Sequence, residues 1–185
     1  MRKRGRVARR GSRKLQWAAA AAIVMVASTG ATPAEAQLGD ARWTLTPSAG
    51  TSFGSDVDGP GAAVALGVGR TIASRVALEG EVGWLSGLAL NGRSYGATAL
   101  FGGRVMYLVG PLAGPLVPYG SVGGLLARLD PPASSTSVEI ALTAGGGGLV
   151  RVHGRAWIRG DLRFVHVNDA PNFWRALVGL TVGLD

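Results

Sequence analysis

Segments of ten or more residues that alternate in polarity recur along this chain, and turn residues separate them. We identify eight such segments, at residues 43–53, 62–72, 75–85, 95–109, 117–129, 137–152, 155–167 and 173–184. Alternation with a period of two is typical of strands that present different faces to two environments. An even number of strands can close antiparallel with both ends of the chain on one side, so that no strand edge is left unpaired. The pattern therefore predicts an all-β fold, an eight-stranded antiparallel up-and-down β-barrel.

The connections between these segments also alternate in character. The first, third, fifth and seventh are longer or more polar, as in GSDVDGPG, SGLALNGRS, DPPASSTS and NDAPN. The second and sixth are tight, at Ala73-Ser74 and His153-Gly154, and the fourth is the Pro/Gly turn GPLAGPL. Outer-membrane barrels have short periplasmic turns and longer outer loops. The parity therefore predicts that both ends of the chain are periplasmic.

The first 36 residues have the three parts of a secretory signal peptide. Eight Lys and Arg lie within residues 2–14, an apolar run follows at 15–27, and Ala34-Glu35-Ala36 is a small-residue cleavage motif. The apolar run is too short to span a bilayer as a helix, which needs about 20 residues. We expect Sec-type export with cleavage near Ala36, which leaves residues 37–185 as one barrel domain in the cell outer membrane.

Removal of the leader also removes the excess of positive charge. The whole chain has 19 basic and 11 acidic residues, whereas residues 37–185 contain 11 Arg and 10 Asp or Glu. The Arg residues are scattered, so no basic patch suited to nucleic acid remains. The chain has no Cys and only two His, which excludes disulfides, Cys-ligated zinc and a site with several His ligands. We expect neither a metal nor another cofactor.

Alternation alone does not say which face points outward. A soluble lipid carrier, with an apolar interior and charges outside, would alternate equally well. The polar faces here are rich in Gly, Ser, Thr and Ala, and their charges are widely spaced, which favours a narrow lumen inside a membrane barrel. Aromatic residues near segment ends are also typical of interfacial girdles. The aromatic residues assigned to the girdles are Trp43, Phe53, Trp84, Tyr95, Tyr107, Tyr119, Phe173 and Trp174. The segment 117–129 alternates too poorly for its faces to be assigned.

Six Arg and four carboxylates lie on the faces that we assign to the lumen. They are Arg75, Glu79, Glu81, Arg104, Glu139, Arg151, Arg159, Asp161, Arg163 and Arg175. The interior of an eight-stranded barrel is only wide enough for side chains to fill. Because an isolated buried ion is very costly, these charges must pair. We expect a salt-bridged plug rather than a gated ion path or a carboxylate pair for acid–base catalysis.

Several stretches resemble the small OmpA/OmpX-like outer-membrane barrels. They are VPYGSVGG at 117–124, GGGGLVRV at 145–152, AWIRGDLRFVHV at 156–167 and the final VGLTVGLD. The resemblance implies contact with outer-membrane lipid and lipopolysaccharide, and insertion by the barrel-assembly machinery. Members of this group typically end on an aromatic residue, whereas this chain ends on Leu184 and Asp185.

A second, partial resemblance lies in the predicted seventh outer loop. His166, Asn168 and Asp169 lie in the stretch HVNDA, which is similar to the H-x-S-N-A motif of lipid A 3-O-deacylases. The resemblance implies a His base, but Asn168 replaces the nucleophilic Ser, and a base needs an activatable hydroxyl within reach. We therefore predict a non-enzymatic barrel with a structural or surface-interaction role. The alternatives are an atypical or degenerate lipid A-modifying hydrolase and a soluble periplasmic lipid carrier, whereas a pore would need more strands.

Overall fold

The computed structural model describes residues 42–54, 57, 59–86, 89–90, 93–94, 98–109, 111–112, 114–129, 136–168 and 172–184. The predicted signal peptide and its cleavage near Ala36 lie outside the described residues, as do Tyr95, Asp169 and Asp185. No helix in the described ranges is long and apolar enough to cross a membrane.

Eight long strands form one closed antiparallel barrel, as the alternation predicted. The strands are β1 (Trp43–Phe53), β2 (Gly61–Ala73), β3 (Val76–Leu85), β4 (Ala89–Leu90), β5 (Arg93–Ser94), β6 (Thr98–Leu108), β7 (Leu116–Leu129), β8 (Ser137–His153), β9 (Ala156–Val167) and β10 (Phe173–Leu184). Each barrel strand pairs with its neighbour along the chain, and β1 closes the barrel against β10. The two-residue strands β4 and β5 form a separate hairpin between β3 and β6, which the sequence did not predict.

The tight turns lie at the end of the barrel where β1 begins and β10 ends. Residues 74–75 join β2 to β3, and residues 154–155 join β8 to β9. Gly154 has φ of 50°, a left-handed conformation that glycine adopts without the steric cost of a Cβ. We call this the turn end of the barrel and the opposite end the loop end.

The outer surface of the barrel wall is apolar. Val64, Val122, Ile140 and Val178 are each about half exposed or more, at 49%, 62%, 60% and 50%. Charged residues occupy the inward phase instead, so the polarity is the reverse of that of a soluble carrier barrel. Arg and carboxylate side chains line the interior, and aliphatic side chains cover the exterior. The prediction of which face of each alternating strand points into the lumen is therefore correct.

Strand β7 is the segment whose faces the sequence left unassigned. Its inward positions include Val117, Tyr119, Leu125 and Leu129, all buried, while Leu126 points outward. Both faces of this strand are therefore apolar near its ends, which hides the alternation.

Buried apolar side chains form two clusters in the interior, one towards each end of the barrel. The turn-end cluster consists of Met106, Leu108, Val117, Tyr119, Leu149 and Trp157. The loop-end cluster consists of Val57, Ala63, Ala65, Leu85, Leu100, Leu125, Ala127, Ala141, Val165, Val167, Phe173 and Leu177. Tyr119 and Phe173 are thus interior residues, so their assignment to an interfacial girdle was wrong. A residue at the end of a strand can point inward or outward, and the alternation along its strand decides which of the two it does.

Candidate functional site

Seven of the ten charged residues predicted for the lumen form one buried network between the two apolar clusters. They are Glu79, Glu81, Arg104, Arg159, Asp161, Arg163 and Arg175, each at most 7% exposed. They come from four strands, β3, β6, β9 and β10, and each lies on the inward phase of its strand. Closure of the barrel therefore brings together residues up to 96 positions apart, from Glu79 to Arg175.

The other three predicted lumen residues lie outside this network, and their assignment to it was wrong. Arg75 is exposed in the 74–75 turn. Glu139 is half-buried near the start of β8, and Arg151 lies near its end, where it donates hydrogen bonds of 3.2 and 2.9 Å to the Gly154 carbonyl oxygen. Their position at strand ends separates them from the central belt of charges along the barrel axis.

Asp161 accepts hydrogen bonds from four side chains and is the hub of the network. Its Oδ2 atom lies 2.7 Å from Arg104 Nη1 and 3.2 Å from Arg159 Nη2. Its Oδ1 atom lies 2.5 Å from Arg163 Nε, and the Tyr119 hydroxyl donates to Oδ2 over 2.6 Å. Charge-assisted bonds of this kind are about twice as strong as bonds between neutral groups.

Glu79 lies on the opposite side of the lumen and accepts hydrogen bonds from Arg104 and Arg159, the two arginines that also donate to Asp161 Oδ2. Its Oε1 atom accepts from Arg104 Nη2 at 2.6 Å and from Arg104 Nε at 3.0 Å. Its Oε2 atom lies 2.5 Å from Arg159 Nη1. Because β3 and β9 are not neighbours in the barrel, the bond between Glu79 and Arg159 ties the walls together across the interior.

Glu81 holds the remaining two arginines, towards the loop end. Its Oε2 atom accepts from Arg163 Nη2 at 2.6 Å, and its Oε1 atom accepts from Arg175 Nη2. Three further guanidinium nitrogens, Arg163 Nη1 and Arg175 Nε and Nη1, are buried and have no hydrogen-bond partner. The oxygens of all three carboxylates therefore accept hydrogen bonds, whereas Arg163 and Arg175 retain unsatisfied nitrogens.

Tyr119 is a member of the site that the sequence did not identify. Its hydroxyl accepts from Arg159 Nε at 2.9 Å while it donates to Asp161, and the Arg159 guanidinium lies 5.0 Å from the centre of the tyrosine ring. Val117, Tyr119 and Ser121 alternate along β7 and face inward together. This spacing of two is the sequence pattern that would have placed Tyr119 in the lumen.

The glycine run at 145–148 makes room for the network. It lies inside β8, so it is not a phosphate-binding loop. A Cβ atom at Gly147 would lie 2.7 Å from the Tyr119 hydroxyl and would collide with the Gly160 carbonyl oxygen. Glycine thus permits a close backbone approach where the largest polar side chains fill the interior.

Two cavities in the described part of the lumen are small. One cavity of about 10 Å³ is lined in part by Glu79, Glu81 and Arg163, and another of about 30 Å³ lies beside the turn-end cluster. Each is the size of one water molecule or a few. Within the described ranges, no group of three or more His, Cys, Asp or Glu side chains is arranged to hold a metal.

The predicted rim site lies at the loop end and faces outward. His166, near the end of β9, is exposed, and its Nδ1 atom lies 2.6 Å from Asn172 Oδ1. The backbone N–H of Asn168 donates to the Ile140 carbonyl oxygen over 3.1 Å. Asp169 lies outside the described residues. The residue paired with the imidazole is therefore an amide side chain rather than a hydroxyl.

The fold is similar to that of solved outer-membrane barrels. Neisserial surface protein A matches with a TM-score of 0.61 at 14% identity, over 77% of this chain and 96% of that one. The Yersinia pestis outer-membrane protein Ail gives 0.47 at 11% identity, over 76% and 99% of the two chains. A major outer-membrane protein from Thermus thermophilus gives 0.45 at 12% identity, over 77% and 99%. No protein-family model and no curated protein matches the sequence.

The likeness to the neisserial protein shows the fold, an eight-stranded antiparallel barrel of the outer-membrane type, and confirms the architecture that the OmpA/OmpX-like resemblance implied. The resemblance of the HVNDA stretch to lipid A 3-O-deacylases is not shown by these comparisons.

Proposed function

We propose that this protein is an integral outer-membrane β-barrel with a closed interior and a structural or surface-interaction role. The observation that carries the proposal is the reversed polarity of the barrel. Large apolar side chains such as Leu66, Phe101 and Leu142 are 42%, 44% and 60% exposed, while seven charged side chains are buried inside. In water this arrangement would be unfavourable, because the apolar outer surface would be exposed to solvent. In a bilayer the apolar side chains contact hydrocarbon, and the charged side chains pair with one another inside the barrel.

The strands are long enough to cross a bilayer. A tilted transmembrane strand needs about 9–11 residues. The barrel strands have between 10 and 17 residues. Exposed aromatic side chains lie near both ends of the wall, with Trp43 and Tyr107 at the turn end and Phe53, Trp84 and Trp174 at the loop end. Amphipathic rings at these levels fit the two membrane interfaces.

Charge at the turn end supports the orientation inferred from loop parity. The described residues at this end include Arg42, Arg70, Arg75, Arg151 and Arg155 but no Asp or Glu. The Arg70 guanidinium lies 5.2 Å from the centre of the Trp43 ring, which is the interfacial position expected for both side chains. Short turns with arginines would then contact phospholipid headgroups on the periplasmic side, and the longer loops would face lipopolysaccharide and the cell exterior.

The filled lumen is the reason for proposing a structural rather than a transport role. Seven mutually bonded charged side chains cross the interior, and an apolar cluster lies towards each end. Solute passage would require the bonds between Glu79 on β3 and Arg159 on β9 to break and both apolar clusters to open. The enzyme alternative has the weaker support, because His166 is paired with Asn172 and the hydroxyl nucleophile of the deacylase motif is replaced by Asn168.

Fractionation combined with heat-modifiability tests the proposal. The protein expressed in a Gram-negative host should be recovered in the outer-membrane fraction, and in detergent it should migrate differently before and after boiling. The matched control is Gly147→Ala, which retains every apolar exterior residue but disturbs the interior, and which should be exported while folding less completely. Recovery of wild-type protein as a soluble periplasmic species without a heat-dependent shift would contradict the proposal.

A further inference from the structure

Arg70 is a charged residue on the outer, apolar surface of the barrel wall. It lies on β2, whose residues alternate between buried and exposed positions, and its side chain is exposed. Its neighbours on that surface are all apolar, namely Val68 and Ile72 on the same strand, Trp43 opposite it on β1 and Leu78 opposite it on β3. These four side chains are 45%, 54%, 42% and 45% exposed. In a bilayer Arg70 would therefore lie among side chains that contact lipid.

The charge of Arg70 needs a partner in this position. A cation on a lipid-facing surface must meet an anion or extend its charged group to the membrane interface. The guanidinium lies 5.2 Å from the centre of the Trp43 ring, a contact that orients the cation but does not neutralise it. The described residues of the turn end include no Asp or Glu. Strand β2 ends at Ala73, about 10 Å further along the strand, so the guanidinium is near the level of the lipid headgroups.

Two further exposed arginines lie at the same part of the rim. The carbonyl oxygen of Arg42 accepts a hydrogen bond from the backbone N–H of Thr71, the residue after Arg70, at 3.2 Å. Arg75 lies in the short turn between β2 and β3. The side chains of Arg42 and Arg75 are both exposed. We call Arg42, Arg70, Arg75 and Trp43 the arginine corner.

The arginine corner is a local feature and not part of a charged belt around the barrel. Residues 105–118, which include the turn between β6 and β7 and the adjoining strand ends, contain no charged residue. Tyr107, Val109 and Leu116 are exposed there, at 53%, 48% and 44%. The turn end therefore has an apolar side at β6 and β7 and a cationic corner at β1, β2 and the start of β3.

We propose that the arginine corner binds the headgroup of an anionic phospholipid, of the phosphatidylglycerol type, in the periplasmic leaflet. This inference rests on the proposed function, because it requires the outer surface of the barrel to lie in a membrane. The headgroup phosphate accepts hydrogen bonds from the guanidinium groups of Arg70 and of Arg42 or Arg75, which suit phosphate geometry. The acyl chains lie against Val68 and Leu78. A zwitterionic headgroup is disfavoured, because the arginines repel its ammonium group.

Quenching of Trp43 fluorescence by brominated lipids tests which lipid lies next to the corner. The exposed tryptophans of the loop end are removed by Trp84→Phe and Trp174→Phe, and Trp157 is interior and only 3% exposed. The purified barrel is reconstituted into vesicles of equal parts phosphatidylglycerol and phosphatidylcholine, with one lipid or the other brominated. One basic residue near an anionic lipid surface strengthens binding by about fivefold. Phosphatidylglycerol should therefore be favoured at Trp43 by about fivefold or more.

Substitutions at Arg70 separate lipid recognition from folding. Arg70→Gln should reduce the preference about fivefold, whereas Arg70→Lys keeps the charge and should retain most of the preference. The matched control is Arg128→Gln, because Arg128 is also exposed on the outer surface of a barrel strand but lies near the loop end. It should leave the Trp43 signal unchanged. A heat-dependent shift in migration shows that each variant has folded.

The two proposals fail in different ways. Equal quenching by the two lipids in an inserted wild-type barrel would overturn this inference and leave the proposed function intact. An inserted Arg70→Gln variant that keeps the full preference would do the same, because the lipid would then be selected elsewhere. A wild-type barrel that does not insert into vesicles would contradict the proposed function, and the lipid site with it.

Discussion

Replacing Glu81 by glutamine removes the carboxylate that holds two buried arginines. In the wild-type protein its oxygens accept from Arg163 Nη2 at 2.6 Å and from Arg175 Nη2, and its side chain is 4% exposed. A hydrogen bond to a charged group contributes about 1.5–3 kcal/mol, so two such bonds correspond to about 3–6 kcal/mol. Breaking a buried ion pair by removing one partner costs about 3–5 kcal/mol in other proteins, which agrees with that range. We therefore expect Glu81→Gln to lower the free energy of unfolding by about 3–5 kcal/mol.

Denaturant-induced unfolding of the barrel in lipid vesicles, followed by tryptophan fluorescence, measures this change. The matched control is Glu139→Gln, because Glu139 is a half-buried carboxylate on a barrel strand outside the network. We expect its effect to stay within about 0.5 kcal/mol, as is usual away from buried networks. The double variant Glu81→Gln with Arg175→Met should recover part of the loss, because Arg175 pairs with Glu81 whereas Arg163 also has Asp161 as a partner. If Glu81→Gln and Glu139→Gln have equal effects, the argument that Glu81 compensates buried charge is refuted.

Four further outcomes are expected. Val178→Arg, at a lipid-facing position that is 50% exposed, should destabilise the inserted barrel by about 2–4 kcal/mol, and unchanged folding into vesicles would show that the assigned face is wrong. In planar bilayers the protein should show no steady conductance of porin size, and frequent large openings would contradict the closed lumen. Incubation with lipid A should release no 3-hydroxy fatty acid, and a release that His166→Ala abolishes would support the enzyme alternative. Gly147→Ala should reduce the heat-modifiable fraction more than Gly103→Ala, since a Cβ at Gly103 meets only the Glu79 carbonyl oxygen at 3.5 Å, and equal effects would refute the packing argument.

The lumen network shows how far the sequence could predict the site. Glu79 and Arg104 are direct partners in the β3–β6 ladder, so their contact follows from the order of the strands once the register is known. Glu79 also bonds to Arg159, on a strand that is not its neighbour. That contact depends on the stagger of the strands when the barrel closes, which sets the height of each side chain along the axis. Alternation contains no information about that height, and this is why Arg75 was wrongly included.

Tyr119 is a second residue whose contacts depend on closure of the barrel rather than on the sequence of its own strand. Its distance from the end of a strand was compatible with an interfacial girdle, and the apolar residues on both faces of β7 concealed its phase. In the folded barrel it faces Asp161 and Arg159, 42 and 40 positions away along the chain. Such a partner exists only after β7 and β9 curve around β8, which pairs with both.

The sequence was enough to predict the number of barrel strands, their antiparallel order and the face of most strands, because a period of two and the spacing of turn residues are local properties of the chain. It also determined that charged side chains would share one face of β3 and β9. The small and polar residues of that face also favoured its placement in the lumen, but which seven charges meet depends on the tertiary structure. The tertiary structure also decided that the donors of Arg175 are left in excess. Pairing across a lumen depends on the closure, stagger and curvature of the sheet, and these arise only when all eight strands are present together.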